Sequence, residues 1–214
     1  IQKRIRVNGK IAQVGDRVNE SDRIFVDGKR VSSSRGVEGR KHRYLLYNKP
    51  ENEICARKDP QGRRTVFDGL PSLKHGRWIS VGRLDFNTTG LLLFTTDGDI
   101  ANRLTHPSSM IEREYAVRVM GNVDSSMIKN MHQGVQIDGS VYRFTDIQYF
   151  GGEGLNRWYH VVVMTGRNRE VRKLWESQGV KVSRLKRVRF GPIFMPSTLK
   201  RGQFHELPKR EVEK

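Results

Sequence analysis

Cysteine is almost absent from this sequence, and long apolar runs are missing. Cys55 is the only cysteine in 214 residues, so no intrachain disulfide can form and no cluster of thiolates can bind zinc. No stretch approaches the roughly 18 consecutive apolar residues of a membrane helix, and no charged-then-apolar signal segment opens the sequence given. We therefore expect a cytoplasmic protein that does not span a membrane.

Histidine and acidic residues are also few. The six histidines show no metal-ligand spacing, which excludes zinc-dependent deamination, and we expect neither a metal nor another cofactor. The sequence has 40 Lys and Arg residues but only 23 Asp and Glu residues, which gives a net charge of +17. The excess is largest at the ends, with twelve basic and five acidic side chains in residues 1–43 and fourteen and five in residues 167–214. A field of this sign attracts phosphate backbones, so nucleic acid is the expected partner.

Two turn signals mark a small unit at the start of the sequence. Val7-Asn8-Gly9 and Val26-Asp27-Gly28 each end a β-rich run with residues that favour tight hairpin turns. Between them, Gly15-Asp16-Arg17-Val18 with its basic flanks resembles the later part of an S4 RNA-binding module, whose opening helices are absent here or reduced to Ile1 to Arg4. A generic small β unit is the alternative. Ser32 to Lys41 is polar and rich in Ser and Gly, as in a tether, so the expected division is residues 1–41 and residues 42–214.

The remaining chain predicts more strands than helices. Three helices are expected, one capped by Asp97, one by Asp124 or Ser125, and one running from near Asn168 to Gly179. Because strands dominate and hairpin links recur, we expect an α+β fold with a mainly antiparallel mixed sheet and flanking helices. The expected strands are Tyr44 to Tyr47, Ile79 to Val81, Leu91 to Thr95, Glu114 to Met120, Tyr142 to Phe150, Trp158 to Thr165 and Val182 to Phe190.

The segment Val81 to Gly98, VGRLDFNTTGLLLFTTDG, carries the most chemical information. Gly82 ends a strand signal, so Arg83 to Asn87 should form a loop before an apolar strand. Asp85 then lies on a loop between two core strands, where catalytic groups are often found. The alternative is that Asp85 is an ordinary turn residue.

This segment and several others resemble the RsuA-type pseudouridine synthases, which isomerise uridine to pseudouridine in ribosomal RNA. The similarity covers about residues 44 to 207. It rests on GRLD with NTTGLLLFTTDG, and further on Leu104 to Pro107, Glu112 to Val117 and Gly166 to Leu174. Within the family, the sequence most resembles the RluB branch, which acts on large-subunit (23S) rRNA. This resemblance rests on Asn48-Lys49-Pro50, Asp59 to Arg63, Thr65 to Asp68 and Gly151 to Gly154.

The resemblance implies a central sheet with a catalytic cleft across one face, and it implies roles for particular residues. Asp85 is implied to be the ionised carboxylate beside the ribose, acting as a nucleophile at the anomeric carbon or as a base on the neighbouring position. Arg172 is implied to pair with Asp85 and keep it ionised, because burial alone favours the neutral carboxyl. The alternative for Arg172 is a contact with RNA phosphate or a surface ion pair. Tyr115 is implied to lie near the pyrimidine, and Val171 to pack against it.

A uridine inside folded RNA must be swung out before it can react, and this costs least in a stem-loop or at a bulge. We expect Arg83 to enter the vacated space or to grip the adjacent phosphate. The other expected substrate contacts are Asn87, Thr88, Arg63, Arg167 and Arg169. The leading hypothesis is therefore a monomeric, cofactor-independent enzyme that modifies rRNA. The second hypothesis is a non-catalytic rRNA-binding or ribosome-assembly protein with the same basic surface.

Overall fold

The computed structural model describes residues 4–13, 16, 18, 19, 21–31 and 42–212. The chain divides into two compact units, Ile1–Lys41 and His42–Lys214. The expected tether at Ser32 to Lys41 lies outside the described residues, as do Gly15 and Arg17 of the segment that resembles an S4 module.

The small unit is a four-stranded antiparallel sheet. Its strands are β1 (Ile5–Val7), β2 (Lys10–Ile11), β3 (Ile24–Val26) and β4 (Lys29–Val31), in the order β2-β1-β3-β4. The turns between β1 and β2 and between β3 and β4 lie at Asn8-Gly9 and Asp27-Gly28, and all four residues have positive φ. Positive φ is what such two-residue hairpin turns require, so the two predicted hairpins are confirmed.

A nine-stranded sheet organises the large unit. Its strands are β5 (Tyr44–Lys49), β6 (Ile79–Val81), β7 (Thr89–Thr95), β8 (Arg113–Met120), β11 (Asp146–Glu153), β12 (Asn156–Val163), β13 (Lys181–Phe190), β14 (Ile193–Phe194) and β15 (Phe204–Leu207); β9 (Val135–Ile137) and β10 (Ser140–Tyr142) form a separate hairpin. The main path of the sheet runs β11-β12-β8-β13-β7-β5-β15, while β6 pairs with β7 and β14 pairs with β13. All of these pairings are antiparallel except β7 with β13.

Four helices flank the sheet in the described part of the unit. They are α1 (Gly98–Thr105), α2 (Ser125–Gln133), α3 (Glu170–Ser177) and the short α4 (Lys209–Val212). The side chain of Asp97 caps α1 and that of Asp124 caps α2, each by accepting hydrogen bonds from two backbone N–H groups. Both predicted caps are therefore confirmed, and satisfying these otherwise unpaired donors is what fixes where the two helices begin.

The two faces of the sheet carry separate cores. Successive side chains of a strand point to opposite faces, and all six residues of β5 are buried. Leu45 and Tyr47 join the core cluster that contains Leu174 and Trp175 of α3. Leu46 joins the cluster on the other side with α1. The expected α+β fold with a mainly antiparallel sheet is confirmed.

The predicted strand from Tyr142 to Phe150 is wrong as a single element. The extended chain is interrupted between β10, which belongs to the separate hairpin, and β11 of the large sheet, because Phe144 is fully buried in the core and its N–H donates to the carbonyl of Met131 near the end of α2 (3.0 Å). The prediction also missed β9, although Asp138-Gly139 is an evident hairpin turn between β9 and β10. It missed β15 as well, which completes the sheet by pairing with β5.

Candidate active site

A cleft of about 250 Å³ opens beside the loop between β6 and β7. Its size is slightly below the usual range for small-molecule sites, about 300–1,000 Å³. The residues that line it include seven of those predicted from the sequence: Arg83, Asp85, Thr88, Tyr115, Arg167, Arg169 and Val171. Three predicted residues are not among the described residues that line the cleft: Arg172, Asn87 and Arg63.

The loop that carries Asp85 is held by its backbone carbonyls. Lys49 Nζ donates to the carbonyls of Thr88 (3.0 Å) and Phe86 (3.4 Å), and also to that of its neighbour Pro50 (3.0 Å). Lys49 is completely buried, and burial lowers the pKa of its ammonium group. Burying a cation is costly unless its donors are satisfied, and here three carbonyls accept from Lys49.

Cys55 and Asn52 add further contacts to the same loop. The thiol of Cys55 donates to the carbonyl of Leu84 (3.3 Å) and accepts from its N–H (3.4 Å), and burial raises the pKa of this thiol. The N–H of Asn52 donates to the carbonyl of Phe86 (3.0 Å). Cys55 is partly buried, and its contacts with Leu84 are ones that the sequence did not indicate.

Arg172 holds the loop from the other side. Its Nη2 donates to the carbonyl of Asn87 (3.0 Å) and its Nη1 to the carbonyl of Val182 in β13 (3.1 Å). Burial lowers the pKa of Arg172, nearby Arg169 lowers it further, and the negative charge of Asp85 acts in the opposite direction. Asp85 therefore lies within electrostatic range of Arg172. In the described part of the chain, however, Asp85 forms no ion pair, so the expected direct pair with Arg172 is not made in this structure.

Tyr115 and Val171 form buried walls of the cleft. Tyr115 is on β8, paired with Val161 of β12 and Arg187 of β13, and only 8% of it is exposed. Val171 lies in the first turn of α3 and is also buried. Both residues thus line the same cleft as Asp85.

Several predicted RNA contacts already have partners within the protein. Arg63 donates twice to the carboxylate of Asp59 (both 2.9 Å), and these hydrogen bonds lower the pKa of Asp59 to about 2. The guanidinium of Arg63 also lies over the ring of Phe86. Arg167 donates to the carbonyl of Val141 (2.8 Å). By contrast, Arg83 is exposed at the cleft and has no hydrogen bond or ion pair in the described ranges.

The cleft contains two buried arginines that the sequence analysis missed. Arg113 at the start of β8 and Arg187 in β13 are 8% and 2% exposed. Their positions in the sequence could have indicated that they are buried, because each alternates with the outward-facing residues of a strand whose other inward-facing residues are apolar. With them, five arginines and two carboxylates, Asp85 and Glu170, line the cleft. Such a balance favours an anionic ligand.

Family comparison gives the class of protein that this fold and cleft represent. The RNA pseudouridylate synthase family matches residues 43–177, and the chain belongs to that family. It is 57% identical over 211 residues to "Ribosomal large subunit pseudouridine synthase B" of Pseudomonas aeruginosa, covering 98% of this chain and 54% of that protein. It is 54% identical over 210 residues to the protein of the same name from Vibrio cholerae, covering 98% and 65%. The chain thus spans between about half and two thirds of the length of these two relatives.

Solved structures show the same fold. A crystal structure of a pseudouridylate synthase matches with a TM-score of 0.73 at 24% identity, covering 100% of this chain and 89% of that one. A chain of an H/ACA RNP bound to a substrate RNA containing 2′-deoxyuridine matches with a TM-score of 0.53 at 19% identity, covering 74% and 50%. The pseudouridine synthase fold implied by the sequence motifs is confirmed.

Within the described ranges, no group of three or more His, Cys, Asp or Glu side chains is arranged to hold a metal ion. None of the helices found there has the length and apolar character needed to cross a membrane.

Proposed function

We propose that this chain is an RNA pseudouridine synthase that converts a specific uridine of large-subunit (23S) rRNA to pseudouridine. The observation that carries the proposal is Asp85 itself. Its loop is fixed by at least four carbonyl contacts from Lys49, Cys55 and Arg172, while its carboxylate faces the cleft without a partner among the described residues. The family match and the names of the relatives support the choice of reaction and of RNA.

Asp85 is the proposed catalytic carboxylate. Pseudouridine formation breaks the C1′–N1 bond, turns the base and joins it again through C5. Asp85 acts either as a nucleophile at C1′ or as a base on the 2′ hydrogen. Both routes need an ionised, correctly placed carboxylate, and fixing the backbone of the loop places the carboxylate without neutralising it.

Tyr115, Val171 and Arg172 are proposed to complete the catalytic site. The ring of Tyr115 packs against the pyrimidine and serves in the removal of the C5 proton after the base is rejoined. Val171 packs against the base from α3. Arg172 acts through the loop, since its hydrogen bonds go to Asn87 and Val182, and its positive charge favours the ionised form of Asp85.

The RNA is proposed to enter with its target uridine flipped out of a stem-loop or bulge. Arg83 has a free guanidinium beside Asp85 and fills the vacated space or grips the adjacent phosphate. Thr88, Arg167 and Arg169 contact the nucleotide and its flanking phosphates from the cleft wall. Asn87 and Arg63 lie outside the wall, and we propose them as contacts to flanking RNA only.

The small unit is proposed to be a partial S4-like RNA-binding module within residues 1–41, joined to a catalytic domain of residues 42–214. Its described sheet carries basic side chains such as Arg6, Lys10 and Arg30, which suits contact with phosphates. We further propose that the protein acts as a monomer, needs no cofactor, and works in the cytoplasm, where its rRNA substrate is made.

The test of the proposed function is Asp85→Asn. The variant should form no pseudouridine in large-subunit rRNA fragments, while its RNA affinity stays within about twofold of the unchanged protein, because the amide keeps the shape but is neither nucleophile nor base. Asp97→Asn is the matched control. It replaces a carboxylate of the same motif, and an asparagine can still cap α1, so activity should be retained.

The same experiment separates the alternative of a non-catalytic rRNA-binding or ribosome-assembly protein. If the unchanged protein binds rRNA but converts no uridine, or if Asp85→Asn leaves the pseudouridine content unchanged, the enzymatic proposal is wrong.

A further inference from the structure

Arg187 is a buried cation whose donors are only partly used. Its Nε donates to the carbonyl of Leu91 in β7 (2.7 Å), and its Nη2 has no hydrogen-bond partner within the described ranges. Arg187 pairs with Tyr115 across β8 and β13 and lines the cleft together with Asp85. An unmet donor on a buried charge is costly, so the position of Arg187 calls for a partner that the protein alone does not supply.

The surrounding packing fixes Arg187 in this position. Its guanidinium carbon lies 5.4 Å from the centroid of the Phe190 ring, and that of Arg113 lies 5.2 Å from the same centroid. Gly90 of β7 faces the backbone of Arg187 so closely that a Cβ there would lie 2.3 Å from its carbonyl oxygen. No carboxylate forms an ion pair with either arginine in the described part of the chain.

The proposed reaction creates a negative charge in this cleft by either route. If Asp85 attacks C1′, the C1′–N1 pair of electrons leaves with the base, giving a neutral ester and a uracil anion. If Asp85 instead takes the 2′ proton, it becomes a neutral acid, a double bond forms between C1′ and C2′, and the base again leaves as the anion. In both cases one unit of negative charge moves from Asp85 to the uracil ring and its carbonyl oxygens.

We propose that Arg187 is a further catalytic residue that stabilises the detached uracil anion by donating a hydrogen bond to one of its carbonyl oxygens. This rests on the proposed function. Donors aimed at the site where charge develops accelerate a reaction most when they are buried and fixed in advance, and Arg187 is both. Arg113 is a weaker candidate, because its Nη1 already donates to the carbonyls of Ile111 and Met164.

The test compares Arg187→Met with Arg184→Met, a control in the exposed register of the same strand. Each variant is mixed with RNA that carries uridine or 5-fluorouridine at the target position, and the rate at which the C1′–N1 bond breaks is measured under single-turnover conditions. Arg187→Met should slow the uridine reaction about 100-fold, the usual effect of removing one such donor, with RNA affinity nearly unchanged. The loss should be several-fold smaller for 5-fluorouridine, because fluorine itself stabilises the anion. Arg184→Met should match the unchanged protein.

Two results would overturn the inference. One is an equal loss with both bases, which indicates a structural role. The other is weaker RNA binding with an unchanged single-turnover rate, which indicates a phosphate contact. If Arg187→Met does not fold, Arg187→Gln, which removes the positive charge but keeps a polar side chain, takes its place and must show the same dependence on the base. Failure of the proposed function is distinguishable, since then the unchanged protein would not cleave the C1′–N1 bond of uridine at all.

Discussion

At Asp85 the protein fixes the backbone and leaves the side chain free. The carbonyls of four neighbouring residues accept hydrogen bonds from side chains of β5, of α3 and of the loop after β5. These residues are Leu84, Phe86, Asn87 and Thr88. The carboxylate forms no ion pair in the described part of the chain. Under the proposed function, this arrangement orients the reactive group before RNA binds and so lowers the entropic cost of reaching the reactive geometry.

Lys49 offers the clearest test of this arrangement. Lys49→Met keeps the length and removes the ammonium group, which takes this donor away from the carbonyls of Pro50, Phe86 and Thr88, although Phe86 still accepts from the N–H of Asn52. We expect a loss of about 2 kcal/mol in the free energy of unfolding, measured by urea titration. We also expect a lower turnover at unchanged RNA affinity, because the Asp85 loop loosens.

The control is Lys129→Met, on the exposed face of α2, which should change neither quantity. Full activity of Lys49→Met would show that Lys49 does not position the Asp85 loop.

The sequence predicted the residues of the site better than their contacts. Asp85, Tyr115 and Val171 could be found because they stand in motifs with fixed spacing. The bonds of Arg172 to Asn87 and Val182 could not, because they depend on how α3 packs against β13 and the loop. Arg113 and Arg187 were missed because a pattern of alternate burial treats any charged residue as outward-facing.

Among the strands, β7 and β13 form the one parallel pair of the large sheet in the described residues. They meet at Gly90, which has a φ of +103° and whose Cβ position would lie 2.3 Å from the Arg187 oxygen and 2.8 Å from its nitrogen. Glycine within a strand often marks such a close approach of two backbones.

Gly90→Ala should therefore be severely destabilising. We expect a loss of about 3 kcal/mol, from backbone strain together with the forced separation of β7 and β13, measured by thermal or urea unfolding. Gly98→Ala is the matched control. Its Cβ would have only Ile79 Cδ1 nearby at 3.7 Å, and its stability should be unchanged or slightly higher, since alanine favours the helix. Equal stability of both variants would contradict the close approach.

A pH-dependent contribution comes from Glu114 on β8. It accepts hydrogen bonds from His160 on β12 (2.7 Å) and Arg189 on β13 (2.8 Å). Burial raises the pKa of Glu114, but these two partners outweigh it and bring the pKa below the ordinary 4.5. The ionised carboxylate therefore stabilises the fold above pH 4.5, and the contribution is lost as the pH falls through the lowered pKa.

Glu114→Gln should cost about 1 kcal/mol at pH 7, and this difference should shrink below pH 4.5, as measured by urea unfolding at several pH values. Glu112→Gln serves for comparison, since Glu112 is 49% exposed and has only Arg189 as its ion-pair partner among the described residues. A penalty for Glu114→Gln that stays constant with pH would refute the electrostatic origin.

At the level of elements, the apolar pattern placed six of the seven predicted strands in the sheet. The strand β15 was not predicted, because Phe204 to Glu206 are exposed and the sequence there shows no alternation of buried and exposed residues. This strand lies at the edge of the sheet and pairs with β5. The order of the strands could not be predicted either, since β8 and β13 pair across more than sixty residues of chain.

For the whole molecule, the charge of +17 predicts RNA binding that weakens steeply with salt. The logarithm of the affinity should fall linearly with the logarithm of the salt concentration, by about 0.7 to 0.9 per phosphate contacted. Arg83→Gln should weaken binding and reduce the slope by about one contact, measured by filter binding from low to moderate salt.

Arg118→Gln is the control for this experiment, because Arg118 lies on the face of β8 opposite to Tyr115 and its Nε donates a hydrogen bond to the hydroxyl of Ser183. An identical slope for Arg83→Gln and the unchanged protein would show that Arg83 grips no phosphate.

The most direct test of the central claim, that Asp85 performs uridine isomerisation in large-subunit rRNA, is a map of pseudouridine in the rRNA of cells that lack this chain. We predict that at least one uridine of the large subunit is left unmodified, that the unchanged gene restores it, and that the Asp85→Asn gene does not. A map that is unchanged by the loss of the chain, or is restored by Asp85→Asn, would contradict the claim.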